Sequence, residues 1–158
     1  MDELLVVGDG PVSEALAGMA DQLGWRTTVA ATLAEATAAV PSARAVVVTS
    51  HDDEVDAATI AAALDARVDY LGAMGSRARQ SRRREWLLAH GVAEERLAEV
   101  RGPAGLDIGA DTPAEIALSI LAELVATVRG VATAGSISDR AGPIHPDKAP
   151  GEAYSPPG

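Results

Sequence analysis

Two glycine-containing segments carry residues that could hold an anion. The first, Gly8-Asp9-Gly10-Pro11, directly follows an apolar run. Glycines there allow a tight turn and a close backbone approach, and the amides of a following helix can bind a pyrophosphate. The negative charge of Asp9 disfavours a bound pyrophosphate at this turn. Ser13 occupies the position where the dinucleotide fingerprint has Gly or Ala. The segment predicts either a ligand site at Gly8 and Gly10 or a turn that only joins a strand to a helix.

The second segment is Gly72-Ala73-Met74-Gly75-Ser76-Arg77. Two glycines, a hydroxyl and a guanidinium at the start of a helix favour an anion site, so we predict ligand binding by Gly72, Gly75, Ser76 and Arg77. The basic run continues beyond this segment. For the later arginines we expect either a solvated helix face paired with acids or a protein contact: Arg79, Arg82, Arg83 and Arg84.

Two further residues are candidates for an active group. His51 follows a buried-strand pattern and could carry a proton or bind a ligand, oriented by Asp52 or Asp56. The acids around it also suit the N-terminus of the next helix, where the helix dipole stabilises negative charge. Asp107 lies in a loop with glycines and a proline, and it has no local role that the sequence explains.

Composition excludes several classes of function. The chain has 158 residues, a net charge of −10 and no cysteine, which rules out disulfides, thiol nucleophiles and Cys-ligated metals. The negative charge argues against nucleic-acid binding. No apolar run reaches the roughly 18 residues of a membrane span, and an acidic start argues against a signal peptide. We therefore expect a cytoplasmic protein, and no histidine spacing predicts a metal site.

Strand-like and helix-like patterns alternate over residues 1–130, which form one predicted domain. Such alternation predicts an α/β fold, a doubly wound, mostly parallel Rossmann-like sheet with helices on both faces. Residues 131–158 hold five of the nine prolines and few large apolar residues, which is typical of a disordered or loosely attached tail. The predicted strands are 3–7, 25–30, 45–49, 69–74 and 100–101, and the predicted helices are 12–23, 33–40, 55–66, 77–90 and 113–128, with a further turn at 94–99.

Two long blocks, Tyr70–Arg77 and Gly105–Glu123, are similar to a known family. Over about residues 4–127 the chain resembles the C-terminal Rossmann domain of the XdhC/CoxI family, accessory proteins of xanthine dehydrogenase and carbon monoxide dehydrogenase. The resemblance implies that the protein holds the molybdenum cofactor, assists its sulfuration and delivers it to a molybdenum hydroxylase. It also implies that the cofactor's phosphate, or that of its nucleotide form, lies against both glycine turns.

The chain departs from that family in two respects. Most members carry an N-terminal domain with a functional cysteine, whereas this chain starts at the first strand and has no cysteine. We expect another protein to supply that contribution. The acid usually found at the end of the second strand is also missing, with Ala30 and Ala31 in its place, which weakens the case for a dinucleotide held through its ribose.

Three functions are open at this level. The leading one is a non-catalytic accessory factor that binds the molybdenum cofactor or a nucleotide. The second is a small NAD(P)-dependent oxidoreductase, based on the first glycine turn and His51. The third is an interaction module that needs no ligand and docks on an acidic partner through its arginine-rich helix. An uncovered sheet edge or apolar helix face also predicts a homodimer.

Overall fold

The computed structural model describes residues 2–149, and a parallel sheet lies at its centre. Its four strands lie in the order β2-β1-β3-β4. Val7 pairs with Ala30 on one side and Val48 on the other, and Val48 pairs with Ala73, so the carboxyl ends of all four strands form one edge. The strands are β1 (Glu3–Val7), β2 (Arg26–Ala30), β3 (Ala45–Val48) and β4 (Tyr70–Ala73).

Five helices cover both faces of this sheet. The alternate residues of β1 show the two faces, because Leu4 and Val6 pack in one core cluster while Leu5 and Val7 pack in the other. Helices α1 and α5 cover the first face, and the other three cover the second. The predicted doubly wound α/β fold is therefore confirmed. The helices are α1 (Pro11–Gln22), α2 (Leu33–Ala39), α3 (Asp53–Ala66), α4 (Arg77–Ala89) and α5 (Pro113–Val128).

The predicted fifth strand at 100–101 is reduced to one parallel bridge beside β4. Within residues 2–149, this segment makes a single parallel bridge, between Arg101 and Gly72, outside the named strands. Gly102 and Pro103 follow immediately, and proline has no N–H with which to extend a ladder. The predicted turn at 94–99 is a 3-10 helix.

Residues 131–149 contain no α-helix or strand, only a 3-10 turn at Ile137–Asp139, and almost all of their side chains are exposed. The predicted disordered tail stays a prediction, and its last part, 150–158, lies outside the described residues. Within the described part of the chain, no helix combines the length and the apolar character needed to cross a membrane.

Candidate functional site

A cavity of about 590 Å³ opens at the carboxyl edge of the sheet. It lies where the chain leaves β1 toward β2 on one side and leaves β3 toward β4 on the other. Open parallel sheets bind their ligands at such a switch point. The lining residues come from the segments that follow β1, β2 and β3: Gly8, Asp9, Ala31, Ser50, His51, Asp52 and Asp53.

Two glycines shape the turn between β1 and α1. Gly8 has a φ of 118°, and a Cβ there would lie 2.7 Å from the backbone nitrogen of Ser50. The absence of a side chain at Gly8 therefore lets the segments after β1 and β3 lie in close contact. Gly10 has a φ of 126°, but nothing lies within 4 Å of its Cβ position. The backbone at Gly10 is consequently open to a ligand.

The N-terminus of α1 differs from those of the other helices. Side chains of Thr32, Asp52, Ser76 and Thr112 cap helices α2 to α5, whereas α1 has no side-chain cap. Its N-cap is Gly10, which has no side chain to accept a hydrogen bond. The first-turn amides of a helix have no partner within the helix, and an anion is well suited to fill that role.

Ser13 has a packing role at the base of this turn. It is buried, and its Oγ lies 2.7 Å from Oγ1 of Thr49. Thr49 in turn donates to the carbonyl of Val7 at 3.1 Å. The serine that replaces the third small residue of the fingerprint therefore joins α1 to β1 and β3.

His51 lines the cavity with an exposed side chain. Neither predicted carboxylate orients it. Asp52 caps α3, where its Oδ1 accepts from the amides of Glu54 and Val55 at 3.1 Å. Asp56 is buried and accepts hydrogen bonds from Ser50 and Arg83. The predicted orientation of His51 by Asp52 or Asp56 is therefore wrong, because capping and ion pairing engage both carboxylates.

A buried ion pair lies beneath the cavity wall. Nη2 of Arg83 donates to Oδ2 of Asp56 at 2.7 Å, with the two side chains 2% and 0% exposed. Ser50 donates to the other oxygen of Asp56 at 2.5 Å, and Arg83 donates to the carbonyl of Met74. Burial raises the pKa of Asp56 and lowers that of Arg83, while their mutual attraction opposes both shifts. The pair connects α3 and α4 to the segments that follow β3 and β4.

The other arginines of α4 are also largely paired. Arg79 and Arg82 both bind the carboxylate of Asp53, at 2.9 Å and 3.1 Å. The hydrogen bond from Arg79 is the main cause that holds the pKa of Asp53 below its usual value. Arg84 pairs with Glu94. Of the five arginines in the basic run, Arg77 is the one without an ion pair or side-chain hydrogen bond among the described residues.

The second predicted glycine turn does not line the cavity. Ser76 caps α4 by accepting from the amide of Arg79 at 3.2 Å. A Cβ at Gly75 would lie 3.3 Å from Cδ of Arg79, so Gly75 packs closely against this side chain. A Cβ at Gly72 would lie 2.9 Å from the ring of Tyr70. Each of these three residues thus has a structural role in the described chain.

Asp107 lies on a separate glycine-rich loop, outside the cavity lining. Glu123 of α5 holds that loop by accepting from the amide of Gly105 at 3.1 Å and from the Tyr70 hydroxyl at 2.7 Å. Burial, and then the bond to Glu123, raises the pKa of Tyr70. Asp107 is exposed and makes no side-chain hydrogen bond within residues 2–149.

Of the predicted site residues, the structure thus brings Gly8 and His51 to one cavity, with Gly10 beside it. Ser50 and Asp53 also line it, although neither is predicted from the sequence to bind a ligand. A spacing signal for Asp53 was present. Asp53 and Asp56 are three residues apart on one helix, and Arg79 and Arg82 have the same spacing on the next, as expected for two facing ion-paired surfaces.

One family model matches most of the chain, and two curated proteins share part of its sequence. The model of the XdhC Rossmann domain matches residues 4–124. The molybdenum cofactor insertion chaperone PaoD of Escherichia coli K12 is 32% identical over 127 residues, which cover 80% of this chain and 40% of PaoD. The uncharacterized protein YqeB of the same organism is 43% identical over 58 residues, 37% of this chain and 11% of YqeB.

A solved structure shares the fold. A crystal structure described as a xanthine dehydrogenase from Bacillus halodurans superposes with a TM-score of 0.67 at 24% identity, covering 86% of this chain and 45% of that one. The chain therefore spans less than half the length of each of these relatives.

Proposed function

The chain belongs to the XdhC family, and we propose that it is an accessory factor in the maturation of a molybdenum hydroxylase of the xanthine or carbon monoxide dehydrogenase type. The observation that carries this proposal is the family match over residues 4–124, together with a cavity at the switch point of the sheet. The relative described as a molybdenum cofactor insertion chaperone supports the same role.

On this proposal the molybdenum cofactor is cargo, held and passed on unchanged by this chain. The turn between β1 and α1 leaves room for a polar part of such a ligand, because the backbone at Gly10 is open and α1 has no side-chain cap. His51 would contact the ligand from the segment after β3. The chain has no cysteine, so any thiolate for the metal or sulfur for its sulfuration comes from elsewhere.

A small NAD(P)-dependent oxidoreductase is the second candidate, because the cavity is where a dinucleotide would bind. The part of the cavity lining that follows β2 does not favour a bound dinucleotide. Ala31 lines the cavity there, where a dinucleotide site places an acid for the ribose. The nearest acid along the chain, Glu35, accepts from the amides of Ala31 and Thr32 at 2.7 Å and 3.3 Å. It is therefore already engaged in capping α2.

The partner in this proposal is the hydroxylase that receives the cofactor. A homodimer and a cytoplasmic location remain expectations of the sequence. Val29, on the edge strand β2, is 47% exposed, which is compatible with a second chain covering that edge. Docking through the arginine-rich helix alone has less support, because most of its charge is paired within the chain.

Deletion of the gene in its own host tests the proposed role. We expect the hydroxylase polypeptide to accumulate at its usual level with little molybdenum cofactor and little activity, because insertion fails after translation. Bound pterin and molybdenum per hydroxylase are the quantities to measure, and the gene supplied in trans is the control. A fully loaded hydroxylase in the deletion strain would contradict the proposal.

A further inference from the structure

Asp53 connects the cavity to the arginines of α4. Among the described residues that line the cavity, it is the one that forms ion pairs. Its Oδ1 lies 2.9 Å from Nη2 of Arg79, and its Oδ2 lies 3.1 Å from Nε of Arg82. The carboxylate is 39% exposed and therefore lies at the boundary between the cavity and the two guanidiniums.

A carboxylate that bridges two guanidiniums occupies a position that also suits a phosphate. Arginine binds both groups through the same planar arrangement of N–H donors. The lining itself contains no arginine or lysine, and its carboxylates are those of Asp9, Asp52 and Asp53. With Asp53 in place, a phosphate would meet three carboxylates, which disfavours binding.

We propose that the phosphate group of the ligand takes the place of the Asp53 carboxylate on Arg79 and Arg82. Asp53 is then an internal competing anion that sets the affinity of the cavity for phosphorylated ligands. This inference rests on the proposed function and adds the residues that would receive the phosphate.

The surrounding contacts allow such an exchange. Arg79 also donates to the carbonyl of Ser50 at 3.1 Å, and its Nη2 lies 3.9 Å from Asp56. It therefore stays in place when Asp53 leaves. Arg82 is 57% exposed and has Asp53 as its one ion-pair partner among the described residues, so its side chain can turn toward a new anion.

The test is calorimetric titration of the full chain with pyrophosphate at fixed ionic strength. Asp53→Asn should bind about tenfold more tightly than the unmodified chain, the change that one hydrogen bond to a charged group makes. Arg82→Gln should bind several-fold more weakly. The matched control is Asp65→Asn, which removes the same charge from an exposed position at the far end of α3.

Equal affinities of Asp53→Asn and Asp65→Asn for pyrophosphate would overturn the inference, as would an Arg82→Gln variant with unchanged affinity. A circular dichroism spectrum of each variant is needed to check that it is folded. The outcome is separate from that of the maturation proposal. If the variants show the expected pyrophosphate affinities but the hydroxylase is fully loaded in the deletion strain, the phosphate site is retained and the maturation role is rejected. If the pyrophosphate affinities of the variants are unchanged but the hydroxylase is unloaded in the deletion strain, the phosphate site alone is rejected.

Discussion

The Asp56–Arg83 ion pair is the most buried charged contact among the described residues. Both charges have left water, and their desolvation offsets much of the attraction between them. Ser50 and the Met74 carbonyl supply further hydrogen bonds. Such a pair adds little net stability, but either charge left alone would be strongly unfavourable.

Arg83→Met should lower the free energy of unfolding by about 3–5 kcal/mol, because it leaves Asp56 charged and buried. The double variant Asp56→Leu/Arg83→Met should recover much of that loss, since no unpaired charge remains. Urea unfolding of both single variants and the double variant measures the coupling. Arg84→Met removes an exposed partner of Glu94 and serves as control, with an expected cost below about 1 kcal/mol. A cost for Arg83→Met as small as that of the control would contradict the account.

The turn between β1 and α1 decides how closely the elements of the site approach one another. Gly8 has no room for a side chain beside Ser50, whereas Gly10 in the same turn has open space. Both have positive φ values that disfavour other residues. The two positions therefore separate the effect of a steric clash from that of backbone strain.

Gly10→Ala should lower the free energy of unfolding by about 1–3 kcal/mol through backbone strain alone. Gly8→Ala should cost more, because its Cβ would also displace the segment that follows β3. Urea midpoints of the two variants provide the comparison. Equal destabilisation would show that the segments after β1 and β3 are not in close contact.

Most of the elements could be predicted, while most of the contacts between them could not. Continuous apolar runs gave β1 and β3, and Thr112 with Glu115 predicted the capping box that begins α5. The α3–α4 ion pairs depend on which helix faces which, and this is set by the order of strands in the sheet. Ser76, together with two glycines and Arg77 at a helix start, predicted an anion site, and in the structure Ser76 caps α4.

The charge of the whole molecule is distributed unevenly. The chain carries −10 overall, yet the arginines of α4 do not form a free positive surface. Acids on α3 and Glu94 pair with four of them. An external anion therefore has to compete with internal carboxylates, which favours specific ligand binding in the cavity over general attraction of anions to this helix.

Retention of the molybdenum cofactor by the purified chain is the decisive test of the proposed binding role. The chain is incubated with the cofactor without oxygen and desalted, and bound pterin and molybdenum are measured. Ala31→Trp places a bulky side chain in the lining of the cavity, and Ala89→Trp places the same side chain at the exposed end of α4. We expect the cofactor to co-elute with the unmodified chain and with Ala89→Trp, and to be lost from Ala31→Trp. Equal retention by all three, or retention by none, would contradict that role.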